Sequence, residues 1–434
     1  MQQAGRIQAA IDVLGDVIRQ HTPVNMALRD WGKANRFAGS KDRTAIGNYV
    51  HDVLRYKSSL AWQMDEDTPR ALILGLLVHH YEEEPETLSE MIKTAKYGPK
   101  PITADELSRL KKGLPLKDAP LWVQANVPEW LWPAFENNFG DNAVSEGQAL
   151  CARAGLDLRV NTLKGNRKTL VKTLESFGVM PTPLSPVGLR VLPQTGALSR
   201  LPNIQIEPCY QMGEVDIQDE GSQLLSLLVN AKLGEKILDL CAGGGGKTLA
   251  LAADTHDKAD IYAFDIDKRR LAPLYQRAKR AGADSLHIIN PPYKNLTDLK
   301  GKMDKVVIDA PCTGVGTWRR KPDTKWRLKL ETLETRLNEQ EKILDNAASY
   351  LRPGGLLFYM TCSVLAEENE GRIYPFLENH PEFTLLSAGE VWEERFGVNG
   401  PKPWSEDGCS LTLTPALTGT DGFFFAVMEK AAHK

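Results

Sequence analysis

From about Val215 onward, short apolar runs alternate with amphipathic stretches, and this alternation restricts the fold more than any other feature of the chain. The runs that read as strands are Lys236-Ile-Leu-Asp-Leu240, Asp260-Ile-Tyr-Ala-Phe264, Ser285-Leu-His-Ile-Ile289, Lys305-Val-Val-Ile-Asp309 and Leu356-Leu-Phe-Tyr-Met360. Helical patterns at 268–281 and 331–351 lie between them. Strands alternating with helices predict an α/β fold, a doubly wound parallel sheet. Ligands of such sheets bind outside the carboxyl ends of the strands. The residues just after each run are therefore the candidate site.

The chain has 434 residues, more than one ordinary core accommodates. At roughly 100–200 residues per domain, two to four domains are expected. From Arg6 to about Tyr97 the pattern is helical: Ile7, Ala10, Ile11, Leu14, Val17 and Ile18 repeat on one helix face. The proline-bearing stretch 112–128 reads as a linker. A strand-like Leu156-Asp-Leu-Arg-Val-Asn161, a helical 168–175 and punctuated short strands up to Gly213 suggest a small α+β module. The expected division is a helical domain at 1–125, a small α+β module at 126–214 and the α/β domain at 215–434.

The formal net charge is −3, so a polyanion surface would have to come from local clusters of Lys and Arg. The six cysteines, at 151, 209, 241, 312, 362 and 409, include no CxxC pair. A disulfide framework or a zinc knuckle is therefore not expected, and no metal site is assigned. With no secretory pattern at the N-terminus and no apolar run near the ~20 residues that span a bilayer, a reducing, cytoplasmic setting is expected. A monomer is the favoured state.

Asp239-Leu-Cys-Ala-Gly-Gly-Gly-Gly-Lys-Thr248 joins the first strand of the sheet to a helix beginning near Lys247. Consecutive glycines let a backbone turn sharply and approach a ligand, and the helix N-terminus offers free N–H groups. Asp265 ends the second strand, roughly 20 residues further on, where a carboxylate meets ribose hydroxyls. Three readings fit. A P-loop would need glycine where Cys241 stands. A dinucleotide site is possible, but a glycine run is weak evidence for it. A methyl-donor site needs only the glycine loop and the ribose acid, and ranks first because the downstream chemistry wants an alkyl donor.

That chemistry comes from Asp309-Ala-Pro-Cys312 and Thr361-Cys362-Ser363, each just after a buried-strand run. Two thiols and a carboxylate would converge. A pyrimidine C5 is a poor nucleophile until a thiolate adds to C6, after which C5 can attack a methyl sulfonium. Cys362, Cys312 and Asp309 can supply the nucleophile, the help with release and the carboxyl group for cytosine N3. A lone cysteine is more often a small buried hydrophobe; two at strand ends beside polar neighbours are much less so.

With these residues in hand, the chain resembles the RsmB/Sun-type RNA 5-methylcytosine methyltransferases. The matches run in order: Arg159-Val-Asn161, Gln218 to Gln223, Cys241 to Thr248, Asp265-Ile-Asp267, Asp309 to Gly314, Thr361-Cys-Ser363 with Glu367-Glu-Asn369, and Gly419 to Phe424. The resemblance implies a Rossmann-like domain that uses S-adenosylmethionine, preceded by a small RNA-contacting module and an all-α NusB-like domain. In that last part Arg43, Tyr49, Val53, Leu54 and Arg55 are the suggestive residues. It implies Cys362 as nucleophile, Cys312 as the release thiol, and Asp309 in contact with donor and target base. The implied donor cradle is Cys241, Ala242, Gly243, Gly244, Gly245, Gly246 and Lys247 with Asp265, Asn290 and Asp309. Gly244 departs from the family's usual proline, and Asn290 from its usual aspartate.

The resemblance also implies an RNA substrate, small-subunit ribosomal RNA by analogy. Trp318-Arg-Arg-Lys321 and Lys325-Trp326 set basic residues beside tryptophans, a pattern suited to phosphates and stacked bases. Arg159, Asn161, Arg319, Arg320 and Lys325 are the expected RNA contacts, with Lys164, Arg167 and Lys168 extending the path. The competing interpretation of such a cluster is a solvated helix with its Trp in the core. His79-His80 and the acidic Glu82-Glu-Glu-Pro-Glu86 read as structural or surface features. Two alternatives stand beside RNA cytosine-C5 methylation: a DNA cytosine-C5 methyltransferase, with Cys312 as nucleophile, and a non-catalytic RNA-binding or assembly factor on the same fold.

Overall fold

The computed structural model describes residues 1–432. They form two compact units. The first comprises residues 1–153, 193–201 and 318–328; the second comprises 154–192, 202–317 and 329–432.

The first unit is all-α. Its opening helix, Gln3–Gln20, buries Ile7, Ala10, Leu14 and Val17 as the periodicity predicts. The helix Ser40–Arg55 lays Ile46, Tyr49, Val50, Val53 and Leu54 into the same core. The helix Pro69–His79 is nucleated by Pro69 in its first turn and capped by Thr68, whose hydroxyl accepts from the Ala71 N–H. The stretch 112–128 is not a linker. Its prolines start the short helical turns Leu116–Asp118 and Leu121–Gln124, and Val123, Ala125 and Val127 are buried. Proline fixes φ at a value that begins a helical turn well, and the apolar residues after it supply the packing.

Residues 318–328 belong to this helical unit rather than to the α/β domain expected from chain order. Trp318 is fully buried and stacks on Phe135 with ring centroids 5.8 Å apart. The Trp326 indole N–H donates to the Leu54 carbonyl at 2.6 Å, and the Arg55 guanidinium donates to the Arg319 carbonyl at 2.7 Å.

The second unit holds two sheets. The smaller is antiparallel and consists of β1 (Leu156–Val160), β2 (Met180–Pro181), β3 (Gly188–Val191) and β4 (Val215–Ile217), in the order β2-β3-β1-β4. Strand β4, which the sequence alternation places at the start of the α/β domain, pairs here with β1 instead.

The larger sheet contains β5 (Lys236–Asp239), β6 (Asp260–Phe264), β7 (Leu286–Ile289), β8 (Met303–Asp309), β9 (Leu351–Thr361), β10 (Phe383–Leu385), β11 (Ser410–Leu413) and β12 (Phe423–Lys430). The order is β10-β12-β9-β8-β5-β6-β7, with β11 also paired to β12. Strands β5 to β9 run parallel. From β5 the chain winds outward through β6 and β7, then returns to β8 on the other side, so the topological switch lies between β5 and β8. Strands β10, β11 and β12 lie outside the strand–helix alternation and escape the sequence reading. In β12, Phe423-Phe-Phe-Ala-Val-Met428 is buried on both faces and gives no alternation to detect.

Phe425 is fully buried in β12 and packs near Phe358 of β9, with centroids 6.0 Å apart. Phe425→Ala is expected to cost about 3–5 kcal/mol. A lowered urea midpoint, followed by tryptophan fluorescence, is the measurement.

Candidate active site

At the switch point β5 ends on Asp239 and the adjacent β8 ends on Asp309. The glycine loop leaves β5 and turns into the helix Gly246–Asp254. Gly245 caps that helix at φ +80, and a Cβ there would lie 2.1 Å from Leu274 Cδ1, so both backbone and space demand glycine. The buried Asp265 accepts from the Gly243 N–H at 3.0 Å and from the Asp267 N–H at 2.8 Å. Each carboxylate oxygen can accept two hydrogen bonds, so the ribose-acid role keeps acceptor capacity. Ile266 beside it is 58% exposed and offers an apolar face; sequence reading missed it because one exposed isoleucine carries no pattern.

The P-loop reading fails on geometry. Lys247 Nζ is bonded to Asp309 Oδ2 at 2.7 Å, and the Thr248 hydroxyl donates to Asp239 Oδ2 at 2.6 Å. Both groups that would serve a phosphate and its metal are committed to carboxylates. Asp239 is buried with its second oxygen unpartnered, and desolvation pushes its carboxyl up to about 7, with Asp309 adding to the rise. Burial, then the neighbouring Asp239, Asp265 and Asp309, also push the Cys241 thiol up. Asn290 donates to the Tyr275 hydroxyl at 2.8 Å, and its buried Oδ1 has no partner in the protein.

Beyond β8 and β9 the two thiols meet. Cys312 Sγ and Cys362 Sγ lie 3.3 Å apart, both half-buried. Their backbones are tied to each other's segments. The Gly316 N–H donates to the Cys362 carbonyl at 3.0 Å. Thr361 Oγ1 donates to Asn369 Oδ1 at 2.7 Å and accepts from the Ser363 N–H. The buried Glu368 accepts from the Thr313 N–H at 2.8 Å and from Gln340 Nε2 at 3.1 Å, which pins the turn that carries Cys312. Glu368 lies in the matching Glu367-Glu-Asn369 stretch, but Gln340 sits on a long helix and had no signal in the sequence. Either sulfur could donate by geometry. The hydrogen bond to Cys362 and burial push the Cys312 thiol well up.

Several expected RNA contacts do other work. Arg159 is buried: its guanidinium donates to Gln218 Oε1 at 2.6 Å and lies 4.0 Å from Asp216. Desolvation lowers its pKa to about 10. The Asn161 amide donates to the Gly213 and Ala281 carbonyls at 2.8 Å each. Lys164 donates to the Met212 and Arg280 carbonyls, and Arg167 to those of Thr182 and Ser185. Lys325 is buried in the helical unit, where it donates to the Arg55 carbonyl and to Cys151 Sγ between the Trp318 and Trp326 rings. Arg319 is buried and Arg320 exposed. Tryptophan beside lysine here marks a desolvated cation–π cluster, a pattern that sequence alone does not separate from a nucleic-acid surface.

An open parallel sheet with a glycine loop at its switch point and an acid after its second strand defines the Rossmann-like methyltransferase class. The family model described as 16S rRNA methyltransferase RsmB/F matches residues 226–429, and the RsmF/B-like ferredoxin-like domain matches 127–195. A Synechocystis protein described as "Probable ribosomal RNA small subunit methyltransferase B" is 33% identical over 72% of this chain and 68% of its own length. The ribosomal RNA small subunit methyltransferase B of Citrobacter koseri is 31% identical over 70% of this chain and 66% of its own. The crystal structure of PH0851 superposes with a TM-score of 0.73 at 25% identity, covering 99% of each chain. The chain belongs to the RsmB/F methyltransferase family.

The raised Asp239 carboxyl makes stability pH-dependent. Its folded pKa, about 7, exceeds the ordinary 3.8, so the folded state binds the extra proton and loses stability as pH rises from about 4 through 7. Asp239→Asn is expected to flatten that fall and to be the more stable protein at pH 8. Unfolding midpoints between pH 5 and 8 measure it.

Proposed function

We propose that the protein transfers a methyl group from S-adenosylmethionine to cytosine C5 in RNA, with small-subunit ribosomal RNA as the substrate. The observation that carries the reading is the 3.3 Å approach of Cys312 and Cys362 at the ends of adjacent strands, beside the glycine loop. The relatives' names support the ribosomal substrate.

The cradle fits the donor. A glycine loop backed by Leu274 and Arg277, an acid with spare acceptor capacity, an apolar Ile266 and the orphaned Asn290 Oδ1 suit an adenosine. The residues that would hold it are Cys241 to Lys247, Asp265, Asn290 and Asp309. When bound there, S-adenosylmethionine supplies an electrophilic methyl group.

The protein's own part follows from its thiols. The Cys362 thiolate adds to cytosine C6, forming a C–S bond and moving the C5–C6 electron pair to C5. Asp309, whose side chain is 36% exposed and paired with Lys247, hydrogen-bonds the base edge. After C5 is methylated, a base takes the C5 proton, the C5–C6 double bond re-forms from that C–H pair, and the C–S pair leaves with Cys362 as a thiolate. The Cys312 S–H stabilises the departing Cys362 thiolate. A base must leave its stack to reach a half-buried thiol, so single-stranded or looped RNA is the natural substrate.

The DNA-enzyme alternative makes Cys312 the nucleophile, and the two cysteine variants separate it from the present reading. Cys362→Ala is expected to lower methyl transfer by about 10^3-fold or more. Cys312→Ala should accumulate an RNA–protein adduct that survives denaturing gels. The opposite pattern would assign the nucleophile to Cys312, and full activity in both variants would sink the mechanism. Bisulfite sequencing of RNA with and without the protein, with Cys362→Ala as control, reads the target. An unchanged 5-methylcytosine map, with RNA binding intact, would favour an assembly factor.

A further inference from the structure

The helix Lys268–Ala281 runs along the glycine loop, and three of its side chains, spaced i, i+4 and i+7, meet three successive glycines. A Cβ on Gly243 would lie 3.6 Å from Arg270 Nη2, one on Gly244 3.1 Å from Arg277 Nη1, and one on Gly245 2.1 Å from Leu274 Cδ1. Only Arg277 reaches a loop carbonyl among these three. Its Nη1 donates to the Gly244 oxygen, and its Nη2 pairs with Asp216 on β4. Asp216 also takes Arg280 at 3.0 Å and faces Arg159 at 4.0 Å, so its carboxylate is fixed from three sides.

Four glycines in a row carry more backbone freedom than any other sequence of that length. A loop that binds in one geometry has its apparent affinity reduced by the fraction of time spent in the others. Asp265 restrains the loop at the Gly243 N–H, and Leu274 blocks one side of Gly245. The Gly245 N–H closes the turn on the Ala242 carbonyl at 2.8 Å, and Arg277 holds the Gly244 carbonyl in the middle of it from the side.

We propose that Arg277 is a positioning residue that keeps the 243–246 loop in its donor-binding form, with Asp216 aiming its guanidinium. The inference rests on the donor-site reading above. It makes loop geometry a property of the small antiparallel sheet as well as of the large one, because β4 carries the acid.

The test is calorimetric titration of S-adenosylmethionine into the full chain, alongside amide hydrogen exchange of residues 243–246 in the donor-free protein. Arg277→Met is expected to weaken binding about tenfold and to speed exchange in the loop. Arg280→Met is the structural control: it removes another arginine from Asp216, one that stacks on Tyr210 at 4.0 Å, and should leave the affinity within twofold. If Arg277→Met does not fold, Arg277→Lys keeps the charge but cannot bridge both partners; about a threefold loss is expected. Equal losses at Arg277 and Arg280, unaltered affinity in Arg277→Met, or unaltered loop exchange would each overturn the assignment. No heat from the unaltered protein would remove the donor reading and this inference with it, an outcome distinct from a loss confined to Arg277.

Discussion

The parallel register of β8 on β9, which aligns Asp309 with Met360, is the constraint on which the reactive centre depends. It brings two strand ends level, so the turns that follow them face each other. Cys312 lies three residues past Asp309, and Cys362 one residue past Thr361. A slip of one residue would turn the side chains of one strand to the other face of the sheet. Both faces of the pair are packed: Val306, Val307, Ile308, Leu357, Phe358 and Tyr359 are all within the core. Antiparallel β12 covers the far side of β9 and seals it.

Charge is distributed around this centre unevenly. Lys247 answers Asp309, while Asp239 has a hydroxyl for a partner and no cation bonded to it. Burial comes first in raising the Asp239 carboxyl and the Cys241 thiol, whereas the hydrogen bond to Cys362 comes first for the Cys312 thiol; in all three, neighbouring acidic groups at the strand ends add to the rise. Such crowding costs stability in the free protein and is a common mark of functional clefts.

The α/β class was legible from the alternation of strands and helices, because that signal is local and repeats. The glycine loop and both cysteine turns were legible because each follows a strand, and a doubly wound sheet brings strand ends to one side. The basic, tryptophan-bearing stretch 318–328 was legible only in part: Arg320 is exposed, while Lys325 is buried. Composition cannot tell a lysine that faces solvent from one such as Lys325, which is desolvated between two indoles and two acceptors. Arg159 and Asn161 match a motif, and sequence did not show that their side chains bond protein groups.

By itself the sequence determined the parallel strands β5 to β9, which turns carry thiols and glycines, and where a positive φ is tolerated, since these follow from residue type and spacing over a few positions. Tertiary structure alone decided that the two sulfurs touch, that Lys247 answers Asp309, and that Arg277 spans from one sheet to the loop of the other. Those contacts join residues 50, 62 and 61 positions apart along the chain. Burial and the pairing of strands distant in sequence bring them together, and no local pattern encodes either.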